Sequence, residues 1–357
     1  MNKNSKIYVA GHTGLVGSAM MRALAGRGYK NIITAEIDEL DLRRQKDTED
    51  FFAKKRPEYV FLAAAKVGGI LANSTYTAEF IYDNLMIAAN IINSSYKSGV
   101  KKLLNLGSSC IYPRLCPQPM KEEYLLTGKL EPTNEPYAVA KISAIKLCHY
   151  YCRQYGADFI SVMPTNLYGP GDNFNLETGH LPAALIRKFY LAERLAAEDF
   201  SSIKKDILAY KLGFKLDGKA ALQSKSSIVS CLRKLGIDRD RVTLWGSGKV
   251  YREFLFVDDL ARAGVFLMEK YCHEDIGEFL NIGLGKDTTI RRLAEIIRKI
   301  VGFKGEIAWD CSKPDGMPKK LLDISRIKKL GWRPSLTLEQ GFTKTIEWFK
   351  SAHAPQG

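Results

Sequence analysis

The 357-residue sequence predicts an α/β fold: a doubly wound parallel sheet followed by a smaller C-terminal domain. Three observations predict it. Short apolar runs alternate with amphipathic helical stretches through the first half. Three glycines follow the first apolar run and lead into the start of the first helical stretch. After Pro164 the texture changes to a stretch rich in Pro, Gly, Asn and Asp.

The strand candidates are Ile7–Ala10, Ile32–Thr34, Tyr59–Ala64, Leu103–Leu106 and Phe159–Met163. Helical patterns lie between them at Val16–Arg27, Asp47–Lys55, Thr77–Ser98 and Tyr137–Tyr155, the order of a parallel sheet covered by helices on both faces. "PTNLYGPGDNFN" reads as a long loop, and a helix begins near Leu181. From about Ala192 to Arg241, charged residues are interleaved with spaced apolar ones (Ile203, Ile207, Leu208, Ile228, Leu232, Leu235), which predicts a helical insertion. The alternation resumes with strands at Val242–Trp245, Phe254–Val257 and Phe279–Ile282, and helices at Asp258–Tyr271, Ile290–Val301 and Leu338–Lys350. Residues 1–170 and 254–283 are expected to form the first domain; 171–253 and 284–357, with the insertion at about 192–241, form the second.

Composition narrows the class. The chain is 46% hydrophobic and 26% charged, an ordinary globular balance. It has no apolar run of the roughly 18 residues a membrane span needs, and Met1–Lys6 is polar, so a cytoplasmic protein without membrane contact is expected. The seven cysteines are scattered without a CxxC, which argues against disulfides or a metal site; Cys148 and Cys152 read as packed thiols. The net charge of +14 is spread along the chain with no nucleic-acid-binding motif, so it reads as a solvated basic surface with a local part in holding phosphates.

"VAGHTGLVGS" sets Gly11, Gly14 and Gly17 in a GxxGxxG spacing, with His12, Thr13, Leu15 and Val16 between them. After a strand and before a helix, such glycines let a pyrophosphate approach the helix N-terminus, whose free N–H groups favour an anion. The first domain is therefore expected to be Rossmann-type and to bind a nicotinamide dinucleotide. Glu36 follows the second strand, where a carboxylate favours a free ribose 2′-hydroxyl, while Arg43 and Arg44 lie close enough in sequence to serve a 2′-phosphate.

"YAVAK" places Tyr137 and Lys141 on one face of a helix. A lysine ammonium beside a tyrosine favours the charged phenolate, and the lysine can also hold the nicotinamide ribose. About 30 residues earlier a strand ends in "GSS", so Ser108 or Ser109 can clamp a carbonyl oxygen while Tyr137 gives it a proton. From the residues alone, Cys110 reads as a packed thiol, His180 as a loop-edge histidine, and Trp245 equally as core or as a stacking platform.

With these residues in place the chain resembles the extended short-chain dehydrogenase/reductases. "AGHTGLVGSA", "AAAKVGGI", "LGSSCIYP", "EPTNEPYAVAK", "VMPTNLYGPGDNF", "LWGSGKVYREFLFVDDLA" and "SKPDGMPKKLLD" are similar to the GDP-L-fucose synthase family within them. The resemblance implies 3,5-epimerisation of GDP-4-keto-6-deoxy-D-mannose and then reduction at C4 to GDP-L-fucose, with NADPH as cofactor, in a homodimer. It implies that Cys110 and His180 move the C3 and C5 protons, Ser108 clamps the C4 oxygen, Tyr137 protonates it and Lys141 supports Tyr137. Cofactor contacts are implied at Gly11–Gly17, Leu106, Gly107, Ser108, Ser109, Lys141, Pro164, Thr165, Asn166, Leu167 and His180. Nucleotide-sugar contacts are implied at Lys188, Trp245, Arg252 and Asp315. Family members often carry arginines where this chain has Thr13 and Ile37, next to Glu36, so NAD stays open as cofactor. A 4-epimerase or 4,6-dehydratase on the same scaffold would not need Cys110 and His180 together. A dinucleotide-sensing regulator would not need the intact Ser108, Tyr137 and Lys141.

Overall fold

The structure is a computed structural model and describes residues 1–217, 222–313 and 315–351. In chain order the elements are β1 (Ile7–Ala10), α1 (Leu15–Gly26), β2 (Ile32–Ile33), α2 (Gln45–Lys55), β3 (Tyr59–Leu62), α3 (Ile70–Thr75) and α4 (Thr77–Lys97). Then come β4 (Lys102–Leu106), α5 (Glu135–Tyr155), β5 (Phe159–Pro164), β6 (Asn166–Tyr168), α6 (Leu181–Ala196), α7 (Phe200–Tyr210) and α8 (Lys225–Lys234). The chain continues through β7 (Arg241–Trp245), β8 (Tyr251–Phe256), α9 (Val257–Lys270), α10 (His273–Ile276), β9 (Leu280–Ile282) and β10 (Asp287–Thr289). It ends with α11 (Ile290–Val301), β11 (Glu306–Asp310), β12 (Lys319–Lys320), α12 (Ser325–Lys329) and α13 (Leu338–Ser351).

The chain divides into two compact units. The first holds residues 1–167, 253–286 and 321–335; the second holds the described residues of 168–252, 287–320 and 336 onward. In the first unit six strands form one parallel sheet in the order β2-β1-β3-β4-β5-β9. Successive side chains of a strand point to opposite faces, and the core divides accordingly. Ile7, Val9, Phe61, Leu104 and Ile160 pack on one face with Met20 and Leu24 of α1 and Leu260 and Val265 of α9. Tyr8, Ala10, Val60, Leu103 and Phe159 pack on the other with Phe52 of α2, Ile91 of α4 and Cys148 of α5. A sheet apolar on both faces reads as continuous apolar runs, which is why these strands were visible in the sequence.

The second unit contains α6, α7, α8, α11 and α13. In it β7 and β11 pair in parallel, Arg241 opposite Glu306 through Trp245 opposite Asp310. The expected helical insertion supplies α7 and α8, and its Ile203, Ile207, Ile228 and Leu232 are buried while Leu208 faces solvent. Residues 321–335, expected in the second domain, pack instead with the first: Leu322, Ile324, Ile327 and Trp332 are buried in its core beside Leu280 and Ile282. Strand ends also differ from expectation: β2 stops at Ile33 and β5 runs on to Pro164. β3 stops at Leu62, and Val257 opens α9 rather than closing β8. No described helix is long and apolar enough to cross a membrane.

Candidate active site

The first unit holds two constellations at the ends of its parallel strands, the edge where such sheets bind ligands. One is the glycine loop between β1 and α1. Gly11 has φ +78°, and a Cβ there would lie 2.7 Å from Ala64 Cα; a Cβ on Gly17 would lie 1.9 Å from Gly11 O. Both positions therefore demand glycine for packing. A Cβ on Gly14 would meet nothing nearer than Gly11 O at 3.6 Å, so its face is open to an approaching group. Gly14 caps α1 with no side-chain bond to the first helical N–H groups, which are left for an anion. Thr13 is exposed, whereas Leu15 and Val16 lean on the core. This cradle fits a dinucleotide pyrophosphate.

The ribose end differs from expectation. Glu36 is not free: its Oε1 lies 3.1 Å from His12 Nε2. Arg43 does not present a free guanidinium either, because it donates to Asp41 and reaches Asp83 at 3.5 Å. Ile37 is exposed.

The second constellation lies where β4 ends. Gly107 donates to Val162 O at 2.8 Å, and a Cβ on it would sit 2.0 Å from Met163 Cε. Ser108 is still extended (φ −159°, ψ 145°), and its Oγ accepts from Cys110 N–H at 3.4 Å, capping a single tight turn over Ser109–Ile111. The chain thus leaves strand geometry directly after Ser108. Ser109 and Cys110 are buried. On α5, Lys141 Nζ donates to Leu106 O at 2.8 Å and lies 5.6 Å from the centre of the Tyr137 ring. Phe80 meets the same ring edge-on. Burial, and then the charge of Cys110, push the Tyr137 phenol well above its ordinary pKa. The ammonium was expected to favour phenolate; burial acts the other way on Tyr137, and it also lowers Lys141 to about 8. Tyr137 is held as a phenol, the form that can donate a proton.

Pro164–Leu167 follows β5. Thr165 N donates to Ile282 O at 3.0 Å, and Thr165 Oγ1 and Asn166 Nδ2 donate to Glu253 O at 3.2 and 2.9 Å. Glu253 is fully buried, and its carboxylate accepts from Gly285 N–H at 2.6 Å and Leu322 N–H at 3.0 Å. Burial outweighs these bonds and raises it to about 7.

In the second unit His180 caps the N-terminus of α6. It keeps solvent access, yet surrounding protein strips enough water to hold its imidazolium below the ordinary pKa. The positive end of the helix acts in the same direction. Eight residues on, Lys188 Nζ donates to Leu235 O at 2.7 Å and Thr243 O at 3.4 Å, with no carboxylate among these partners, and burial lowers it to about 8. Two residues beyond Thr243, Trp245 is 63% exposed and is not a core residue. Lys313 Nζ stands 5.6 Å from its ring centre. Arg252 donates to Met317 O at 2.6 Å, and Asp315 accepts from Ser247 N–H and Oγ–H, both at 2.7 Å. The predicted residues therefore fall into two groups. Ser108, Cys110, Tyr137 and Lys141 lie together in the first unit, and His180, Lys188, Trp245, Arg252 and Asp315 belong to the second.

Sequence reasoning missed Glu253, and it missed Arg187, which is fully buried against the fully buried Asp206. Arg187 lies in none of the quoted motifs, and Glu253 lies in "LWGSGKVYREFLFVDDLA" without having been singled out. The only signal was a charged residue at an apolar position of its helix or strand pattern.

A parallel sheet with a glycine cradle at one strand end and a Ser, Tyr and Lys set at another defines a nicotinamide-dependent oxidoreductase of the short-chain type. The model of the NAD dependent epimerase/dehydratase family matches residues 7–204 and 218–283, and the chain belongs to that family. Within it the chain falls among the GDP-L-fucose synthases. It is 48% identical to GDP-L-fucose synthase 1 of Arabidopsis thaliana over 98% of this chain and 94% of that one. It is 46% identical to GDP-L-fucose synthase of Escherichia coli (strain K12) over 96% of each. The solved GDP-L-fucose synthetase from Naegleria fowleri bound to NADP superposes with a TM-score of 0.80 at 28% identity, covering 99% of this chain and 95% of that one.

Proposed function

We infer that this chain converts GDP-4-keto-6-deoxy-D-mannose to GDP-L-fucose by epimerising C3 and C5 and then reducing C4, with NADP as its cofactor. One observation carries the reading: Ser108, Cys110, Tyr137 and Lys141 stand intact around the end of β4 in a chain 48% identical to a GDP-L-fucose synthase. Gly11, Gly14, Gly17 and the open end of α1 would hold the pyrophosphate, and Lys141 the nicotinamide ribose. When bound, NADPH supplies the hydride for C4.

The keto group makes the neighbouring C3 and C5 protons acidic, since each carbanion is stabilised as an enolate. The resemblance gives the two proton steps to Cys110 and His180, one as base and the other as acid. Burial lowers the His180 pKa, which favours the neutral imidazole that can accept a proton. The Ser108 hydroxyl holds the C4 oxygen, and Tyr137, kept protonated by burial, donates to it. Lys141 fixes the end of β4 through Leu106 O and orients the ribose. The exposed Trp245 offers its face to guanine, and Lys188 and Arg252 offer charge to the diphosphate. A homodimer and a cytoplasmic location complete the proposal; light scattering and fractionation check them.

Purified protein given GDP-4-keto-6-deoxy-D-mannose and NADPH is expected to oxidise the cofactor and release GDP-L-fucose. No oxidation with NADPH or NADH overturns the reading. Tyr137→Phe is expected to slow reduction by about 10²–10⁴-fold while C3 and C5 still exchange with solvent deuterium. Cys110→Ser is expected to lose that exchange and keep cofactor affinity. Exchange abolished by Tyr137→Phe, with substrate still bound, would refute this division of roles.

A further inference from the structure

The loop from Asp172 to His180 is tied down by a segment the reaction does not use. Arg187, on α6 and seven residues from His180, shares its helix face. It is fully buried; Nε and Nη2 reach Asp206 Oδ1 of α7 at 2.8 and 2.7 Å. Its Nη1 donates to Phe174 O in the loop at 2.9 Å and also to Lys211 O, just past α7. A fully buried guanidinium needs such partners on every side, so these three strands of chain cannot shift independently.

A second set of bonds runs parallel to the first. Glu177, in the loop, accepts from Phe214 N–H at 2.7 Å. Asn175 Nδ2 donates to Tyr210 O at 3.4 Å; Asn175 Oδ1 accepts from Glu177 and Thr178 N–H at 2.9 and 3.0 Å; Asn175 O accepts from Gly179 N–H at 2.8 Å. The path from α7 thus ends one residue before His180. The turn after α7 is itself strained: Lys211, Phe214 and Lys215 have φ of 54°, 52° and 59°, and Gly213 has +78°. Three non-glycine residues in the left-handed region persist only where surroundings over-determine them. Here Asp217 accepts from Leu212 and Gly213 N–H while Glu177 holds Phe214. The family model matches up to residue 204 and from 218, leaving this turn outside the shared pattern.

We propose that residues 200–217 form a brace that positions His180 for proton transfer, acting through the Arg187–Asp206 pair and the Glu177–Phe214 bond. The proposal rests on the reading of His180 as a proton carrier. Arg187, Asp206 and Glu177 are positioning residues and touch no substrate.

The test measures solvent deuterium exchange at C3 and C5 of GDP-4-keto-6-deoxy-D-mannose, alongside NADPH affinity. Glu177→Ala is expected to slow exchange about tenfold or more with NADPH affinity unchanged. Glu177→Gln, whose amide oxygen still accepts from Phe214 N–H, is expected to restore it. Asp206→Asn is expected to match the Ala variant if it folds; the Glu177 pair carries the test if it does not. On a His180→Ala background, Glu177→Ala is expected to add no further loss, because the brace acts through that ring. Unchanged exchange in Glu177→Ala, or a full additive loss on the His180→Ala background, overturns the brace. A wild-type protein that exchanges neither proton overturns the reading of the site instead.

Discussion

The glycine loop and the Arg187 knot both fix the course of the backbone, by opposite means. In the first unit, position is set by side chains that are missing: Gly11 and Gly17 let the backbone fold against itself, and Gly107 lets β4 end against Met163. In the second, position is set by groups that are present and costly to bury, a guanidinium and a carboxylate sharing a dry site with backbone carbonyls. Steric design fails abruptly when an atom is added. Electrostatic design fails when a partner is removed, because the survivor is left charged and unsolvated.

That contrast can be broken at three points. The largest effect is expected from Gly17→Ala. Its Cβ would stand 1.9 Å from Gly11 O and 2.7 Å from His12 Cα, both backbone atoms that cannot turn aside. Loss of measurable NADPH binding and destabilisation of about 3 kcal/mol are expected, read by cofactor titration and chemical unfolding. Near-normal binding would show that the loop is softer than its packing implies.

The next effect is on pH dependence, and it compares the units directly. Each buries one carboxyl group raised to about 7: Glu253 in the first and Asp172 in the second. A folded pKa above the unfolded one means the folded state binds the proton more tightly. The stabilisation is full below the ordinary carboxylate range and is lost as pH rises toward about 7. Glu253→Gln and Asp172→Asn are each expected to flatten part of that decline, measured as the change in thermal midpoint with pH. A Glu253→Gln variant that keeps the wild-type slope would mean that its bonds from Gly285 and Leu322 outweigh burial.

The smallest effect on stability is expected at Trp245. Trp245→Ala exposes nothing new, so unfolding should change by no more than about 0.5 kcal/mol. Substrate KM should rise about tenfold, the scale of one lost stacking contact. A large loss of stability would return Trp245 to the core.

Much of the first unit was legible because its physics is local. Strands buried on both faces announce themselves as apolar runs, a strand–glycine–helix junction spans ten residues, and Tyr137 and Lys141 are one helical turn apart. Other features depend on distant partners. Trp332 gave no sign that it returns to the first core, since other members of that cluster, such as Leu280 and Ile282, lie far from it in sequence. Glu36 looked free because His12 lies 24 positions away in sequence, and Arg187 looked like part of a solvated basic surface because only folding brings Asp206 to it. Whether Trp245 faces water is a question about β7's neighbours, and the pattern "VTLWG" does not contain them.

The bond from Cys110 N–H to Ser108 Oγ has a consequence for the direction of the reaction. A hydroxyl carries one proton and two lone pairs. With one lone pair engaged by the backbone, Ser108 retains the proton and a second lone pair. The proton greets a ketone oxygen; the lone pair greets an alcohol. One rotation of the O–H bond therefore converts a holder of reactant into a holder of product. On the proposed role of Ser108, the same oxygen would therefore offer the ketone and the reduced sugar a matched hydrogen bond each.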